Sequence, residues 1–116
     1  ATLVLGGGEA WLALGDMKEL GPHESRLHAE VGQFARAQGV TRMFTVGPLS
    51  AGAAEAFGSG ARSFADRDAL AQALAGELRA GVRVLVKGSR SSGMERVVAQ
   101  VLAAHAMQPR ESDHAA

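Results

Sequence analysis

The residues best suited to chemistry lie near the carboxy end, in Lys87-Gly88-Ser89-Arg90-Ser91-Ser92-Gly93. This cationic, hydroxyl-rich and flexible loop stands directly before a segment of helical period. A helix amino terminus exposes unpaired N–H groups and the positive end of its dipole, so a carboxylate or phosphate suits the place. The same residues equally fit a structural role, in which Ser92 caps the helix while Lys87 and Arg90 are solvated. Asp16, in Gly15-Asp16-Met17-Lys18-Glu19-Leu20-Gly21, is a second candidate. Its carboxylate could bind a ribose hydroxyl, a substrate amine or a metal-bound water, or it could brace the turn that Gly15 permits.

Other chemistries fail on spacing. Gly88 and Gly93 are placed like the two glycines of a nucleotide-binding P-loop, but Met94 and Glu95 stand where Lys and Ser or Thr must follow. Gly6 and Gly8 are not followed by a third glycine at Trp11, so no dinucleotide fingerprint forms. His23 and His28 are five residues apart, on different faces of a helix, and default to the surface rather than to a metal. His105 and His114 lie at the end and take no role. No serine sits in a nucleophile-elbow pattern, and no carboxylate pair is placed for acid–base work. Trp11, Met17, Met43, Phe44 and Met94 read as core or interface, and Met107 as surface.

The elements that must position these loops follow from hydrophobic period. Four apolar runs, Ala10 to Leu14, Arg42 to Val46, Arg62 to Phe64 and Val82 to Val86, alternate with four segments of helical period. That alternation predicts an α/β fold: a three-layer, Rossmann-like domain with a mostly parallel sheet. The first helix starts near Pro22, sets Leu27, Val31, Phe34 and Ala35 on one face and ends at Gly39. The second carries Leu49, Ala53, Ala56 and Phe57 and stops at Gly58. Asp66 caps the third, which aligns Leu70, Leu74 and Leu78 before Gly81. Ser92 and Glu95 have capping-box spacing ahead of Met94, Val97, Val98, Val101 and Leu102. Thr2 to Leu5 is either an extra strand or the last turn of an arriving helix, with Gly6, Gly7 and Gly8 as the break. In an open parallel sheet, ligands gather beyond the carboxyl ends of the strands, which is where both candidate loops fall.

Composition sets the outer bounds. The 116 residues, 47% of them hydrophobic, make one domain that buries about two thirds of its unfolded surface. Lys plus Arg and Asp plus Glu are each 12, so no long-range field gathers nucleic acid or an anionic membrane. The absence of cysteine excludes disulfides and thiolate metal sites. No apolar run has the length of a membrane helix, and no signal-peptide pattern opens the chain. A start at Ala1, directly into structure, hints at a piece of something longer.

Three segments then carry a family likeness. In Leu12-Ala13-Leu14-Gly15-Asp16-Met17 with Glu19-Leu20-Gly21, in Leu27-His28 with Val31-Gly32, and in Val86-Lys87-Gly88-Ser89-Arg90 with Met94-Glu95, the sequence resembles the UDP-N-acetylmuramoyl-tripeptide:D-alanyl-D-alanine ligases of the Mur ligase family. The order also matches, with Val46-Gly47 and Phe64-Ala65-Asp66 between them. The resemblance implies a lead-in from a preceding domain over residues 1–9, a Mur ligase carboxy-terminal domain over 10–106 and a flexible tail over 107–116. It implies a cytoplasmic three-domain parent in which ATP phosphorylates the tripeptide carboxyl and the amine of D-alanyl-D-alanine displaces phosphate. ATP and magnesium would be held mainly by the central domain. The partners implied are UDP-N-acetylmuramoyl-tripeptide, D-alanyl-D-alanine and the amino-terminal and central domains of the same protein, with neither nucleic acid nor membrane among them. Lys87, Ser89 and Arg90 would lie on the dipeptide side of the cleft, and Asp16 on its nucleotide-facing or amine-facing side. The isolated chain would fold without ligase activity.

Two other classes fit the pattern less well. A receiver-like signalling domain would place Asp16, Asp66 and Lys87 at strand ends, yet it needs adjacent acids after its first strand where only Asp16 stands. A non-catalytic Rossmann-like binding module fits the fold alone.

Overall fold

Each sheet-forming run of the chain is short and followed by a glycine-bearing or capped turn, and the computed structural model, which describes residues 2–5, 8–18 and 20–107, folds accordingly. Strand β1 is Thr2–Leu5, β2 is Glu9–Gly15, β3 is Val40–Val46, β4 is Ala61–Phe64 and β5 is Val82–Lys87. Between and after them lie helices α1 (Glu24–Ala37), α2 (Pro48–Phe57), α3 (Arg67–Glu77) and α4 (Met94–Met107). The sheet order is β1-β5-β2-β3-β4. The last four strands run parallel, and β1 pairs antiparallel with β5 at the edge. The ambiguous Thr2 to Leu5 segment is therefore a strand. Gly6, Gly7, Glu19 and residues 108–116 lie outside the described residues, as do the side chains of His105 and Met107.

Connection handedness sets the layers. The chain steps from β2 to β3 to β4 in one direction, so right-handed crossovers lay α1 and α2 on one face. It then returns past β2 to β5, which lays α3 and α4 on the other. Between the sheet and α1 and α2, Leu12, Leu14 and Met43 pack with Ala35, Ala53 and Phe57 of the helices. On the other face Trp11, Phe44 and Val84 of the sheet pack with Leu70 and Leu74 of α3 and Val97 of α4. A large apolar side chain buried to this degree contributes about 1.5–3 kcal/mol. The core reading of Trp11, Met43, Phe44 and Met94 agrees with their burial, and Met17 is half-buried against the α1–α2 layer.

Strand β5 alternates strictly. Val82, Val84 and Val86 are buried on the α3–α4 side, while Arg83, Leu85 and Lys87 are exposed on the side that α1 and α2 leave open.

Three expectations for the helices are corrected. Phe34 is 66% exposed, and the buried stripe of α1 is His28, Gly32 and Ala35. Gly32 is the reason: its bare Cα lies against the Ala53 carbonyl of α2, where a Cβ would collide, so the helices approach along that line. His28, expected at the surface, is fully buried. Leu102 is nearly half exposed, because α4 turns Met94, Val97 and Val101 to the sheet instead.

At the amino-terminal rim of the sheet, Glu9 ties three elements. Its carboxylate accepts from Thr41 Oγ1 at 2.6 Å and Trp11 Nε1 at 2.8 Å, and pairs with Arg79 Nη2 at 2.5 Å. Those hydrogen bonds, Thr41 first, together with the charges of Arg79 and Arg42 hold its pKa below the ordinary carboxylate value.

Candidate functional site

Strand register brings the candidate loops to one level. Gly15 pairs with Val46, Val46 with Phe64, and Leu14 with Lys87. The next residues of all four parallel strands consequently emerge at the same, carboxyl, rim. Because α1 leaves on one face and α4 on the other, β2 and β5 flank the switch point where such sheets open a crevice.

Here the crevice is laced together. Ser89 N–H donates to the Asp16 carbonyl at 3.1 Å, and Lys18 N–H donates to Ser89 Oγ at 2.6 Å. The strand ends come so close that a Cβ on Gly88 would stand 3.3 Å from Gly15 Cα and 2.5 Å from Ser92 Oγ. A side chain at either glycine would have to displace those of Ser92 and Met94.

Asp16 is 5% exposed. Its Oδ1 accepts from Ser50 N–H at 2.7 Å and its Oδ2 from Leu49 N–H at 3.2 Å. These are orphan amides of the first turn of α2, and Gly47, the residue before that helix, has no side chain to serve them. The carboxylate of Asp16 is thus committed to bracing α2 from the neighbouring loop. The following residue is fixed as well, since Met17 N–H donates to His28 Nε2 at 3.0 Å and His28 Nδ1 donates to the Glu24 carbonyl at 2.7 Å. Only the tautomer protonated at Nδ1 satisfies both contacts. Three consecutive residues of the β2–α1 loop are thereby anchored to α2, α1 and the β5–α4 loop.

The β5–α4 loop departs from its expected form. A 3-10 turn, Arg90–Ser92, precedes α4, and Ser92 spends its hydroxyl on the Ser89 carbonyl at 2.6 Å. Gly93 then takes a left-handed conformation at φ +66°, and α4 begins at Met94. The capping box of Ser92 with Glu95 does not form, because the tight turn uses the serine before the helix starts. Asp66 does cap α3, accepting from Ala69 N–H at 2.8 Å.

A cleft of about 350 Å³ opens on the rim, lined by Asp16, Lys18, Pro48, Asp66, Arg67, Ser91 and Ser92 among others. Asp16, Ser89 and Arg90 share this rim, Ser89 half-buried in the lacing and Arg90 exposed at the head of the turn. Lys87 is set apart: the alternation of β5 turns it to the α1 side, where with Met17, Leu20, Leu27, Phe34 and Leu85 it lines a mostly apolar groove of about 970 Å³. Sequence reasoning gave no role to Lys18 or Arg67. Lys18 lay inside a loop already singled out. Arg67 offered one signal, a cation in the first turn of a helix, where the dipole disfavours it and a compensating partner is required.

Among the described residues no cluster of three His, Cys, Asp or Glu stands ready for a metal. With Asp16 engaged by α2 and Asp66 by α3, the rim does not fit a magnesium site. No helix among the described residues is long and apolar enough to cross a membrane.

A Rossmann-like α/β domain whose carboxyl-rim loops are tied into one polar surface belongs to the class of open parallel-sheet domains that carry their sites at that rim. Comparison with known proteins narrows the class. Residues 2–90 match the family model of the Mur ligase, glutamate ligase domain, and the chain belongs to that family as its carboxy-terminal domain. This membership replaces the receiver-like and unrelated-module alternatives.

The UDP-N-acetylmuramoyl-tripeptide--D-alanyl-D-alanine ligase of Escherichia coli (strain K12) is 42% identical over 90 residues, which cover 75% of this chain and 20% of that protein. The ligase of the same name from Synechocystis sp. is 40% identical over 93 residues, or 78% of this chain and 20% of that protein. A crystal structure of MurF from Acinetobacter baumannii superposes with a TM-score of 0.72 at 22% identity, over 84% of this chain and 23% of that one, and supports the fold. MurF ligase from Thermotoga maritima, solved in complex with ADP, gives a TM-score of 0.67 at 26% identity over 81% of this chain and 22% of that one. The chain spans about a fifth of the length of the curated relatives it matches.

Proposed function

We propose that this chain is the closing domain of a longer, ATP-dependent ligase that joins D-alanyl-D-alanine to UDP-N-acetylmuramoyl-tripeptide in peptidoglycan precursor synthesis. The observation that carries the reading is the family match over residues 2–90, which takes in every rim loop through Arg90. The relatives' shared activity and the ADP complex of the Thermotoga protein support it. The enzyme works in the cytoplasm, beside its nucleotide substrates, with ATP and magnesium held mainly by a central domain and the UDP-linked substrate by an amino-terminal one.

In this reading a phosphorylated tripeptide carboxyl is attacked by the dipeptide amine and phosphate leaves. Charge builds on oxygen along that path, and fixed donors facing it lower the barrier. Arg90 and Ser89 bind the dipeptide side of the cleft, Arg90 through the dipeptide carboxylate and Ser89 through the hydroxyl proton that its contact with Lys18 leaves free. Lys87, turned to the α1 side, adds positive charge behind the rim without touching the dipeptide. Asp16 acts by holding α2 and the β2–α1 loop in place, toward the amine-facing side.

The test is phosphate release by the longer polypeptide with ATP, the UDP-linked tripeptide and single amine substrates. Release that requires D-alanyl-D-alanine is expected, and none from the isolated chain. Release driven by glutamate in place of the dipeptide would overturn the substrate assignment.

A further inference from the structure

Arg67 opens α3 directly after its cap Asp66, at the positive end of the helix dipole, where a cation is disfavoured. What offsets that cost is on the neighbouring loop. Arg67 Nη1 lies 3.4 Å from the Ser92 carbonyl and 3.3 Å from the Gly93 carbonyl, and donates to both. The guanidinium fills the space in which a side chain at position 93 would begin: a Cβ there would overlap Nη1. Gly93 is therefore required twice, once for its positive φ and once for the volume that Arg67 occupies.

The contact continues inward. Ser92 holds the Ser89 carbonyl through its hydroxyl at 2.6 Å and its N–H at 2.9 Å, and Ser89 in turn holds Asp16 and Lys18. Arg67 is thus the outer end of a line of hydrogen bonds that runs from the first turn of α3 across the 3-10 turn to the β2–α1 loop. The turn itself carries Arg90.

We infer that Arg67 is a positioning residue for the dipeptide site, fixing the 3-10 turn so that Arg90 and Ser89 meet D-alanyl-D-alanine in one geometry; the inference rests on the function proposed above. It acts through the turn and not by touching the reacting atoms. A cation suits the task because one charged nitrogen, Nη1, reaches both adjacent carbonyls.

The experiment uses the longer ligase and compares Arg67→Ala, Arg67→Lys, Gly93→Ala and the Arg67→Ala/Gly93→Ala double variant, with KM for each of the three substrates, kcat and Tm. Arg67→Ala is expected to raise KM for D-alanyl-D-alanine about tenfold, as loss of a charge-assisted contact does, with kcat and the other two KM values little changed. Arg67→Lys recovers most of that loss. Gly93→Ala displaces the guanidinium and raises the same KM, and the double variant is no worse than the poorer single one, because both remove one contact. An unchanged dipeptide KM in Arg67→Ala, an equal loss for all three substrates that follows a lowered Tm, or single effects that multiply in the double variant would each overturn the inference. Should Arg67→Ala not fold, Arg67→Lys and Gly93→Ala decide by the same KM comparison. Wild-type protein that fails to use D-alanyl-D-alanine would instead overturn the function on which the inference rests.

Discussion

Asp16 shows how one carboxylate can organise a rim without facing solvent. Both of its oxygens serve the first turn of α2, so Asp16→Ala leaves two buried amides unpaired. Loss of a helix cap costs about 0.5–2 kcal/mol, and a drop in Tm of about 4–8 °C per kcal/mol is expected for a domain near this size. Thermal unfolding of the variant checks it; an unchanged Tm would mean that the amides find another partner. Glu9 makes the corresponding prediction in pH. Its folded pKa is depressed below the ordinary 4.5 by Thr41, Trp11, Arg79 and Arg42, so its contribution is present above the unfolded value and disappears as pH falls through the folded one. The Tm advantage of wild type over Glu9→Gln should accordingly be full above pH 4.5 and close in more acidic buffer. A constant gap across that range would count against the assignment. Asp66 was legible as a cap because a cap depends on local sequence alone. The same reading left Asp16 open between a contact and a brace, since the amides it serves arrive from 33 and 34 residues away. His28 was misplaced for a related reason. Its partner is the Met17 amide in the preceding loop, and nothing in the spacing of His23 and His28 announces it.

At the scale of elements, apolar runs located four strands to within two residues, because β2 is buried along most of its length and β5 keeps a valine at each buried position. Thr2–Leu5 was undecidable over so short a stretch and was settled by pairing with β5. The faces of α1 and α4 were harder. Period alone favoured the bulkiest residues, whereas α1 packs along its smallest: Gly32 admits the Ala53 carbonyl and so fixes which stripe is buried. Gly32→Ala should therefore destabilise, by about 1–3 kcal/mol, as overpacking does, despite the higher helix propensity of alanine. A chemical-denaturation midpoint below that of wild type is the expected result, and one above it would show that the helices can separate without loss. The missing capping box has the same lesson in another form. Ser92 and Glu95 have the right spacing, but the 3-10 turn claims the serine first.

The whole molecule is one sheet with two unequal edges of meaning. Its amino-terminal rim is braced by Glu9, Arg79 and the stacking of Arg42 on Trp11 and Phe44, at 4.9 and 5.1 Å from the ring centres. Its carboxyl rim gathers the loops that the family likeness had marked. Sheet order was not readable from the sequence, since crossover direction leaves no trace in composition, yet it is the adjacency of β5 and β2 that sets Asp16 beside Ser89. The central claim is that this rim is the dipeptide half of a ligase site completed by other domains. Steady-state kinetics of Arg90→Ala in the longer enzyme test it most directly, because Arg90 is exposed and can be removed without disturbing the core. The account predicts a KM for D-alanyl-D-alanine raised about tenfold or more at an unchanged Tm; wild-type kinetics in that variant would contradict it.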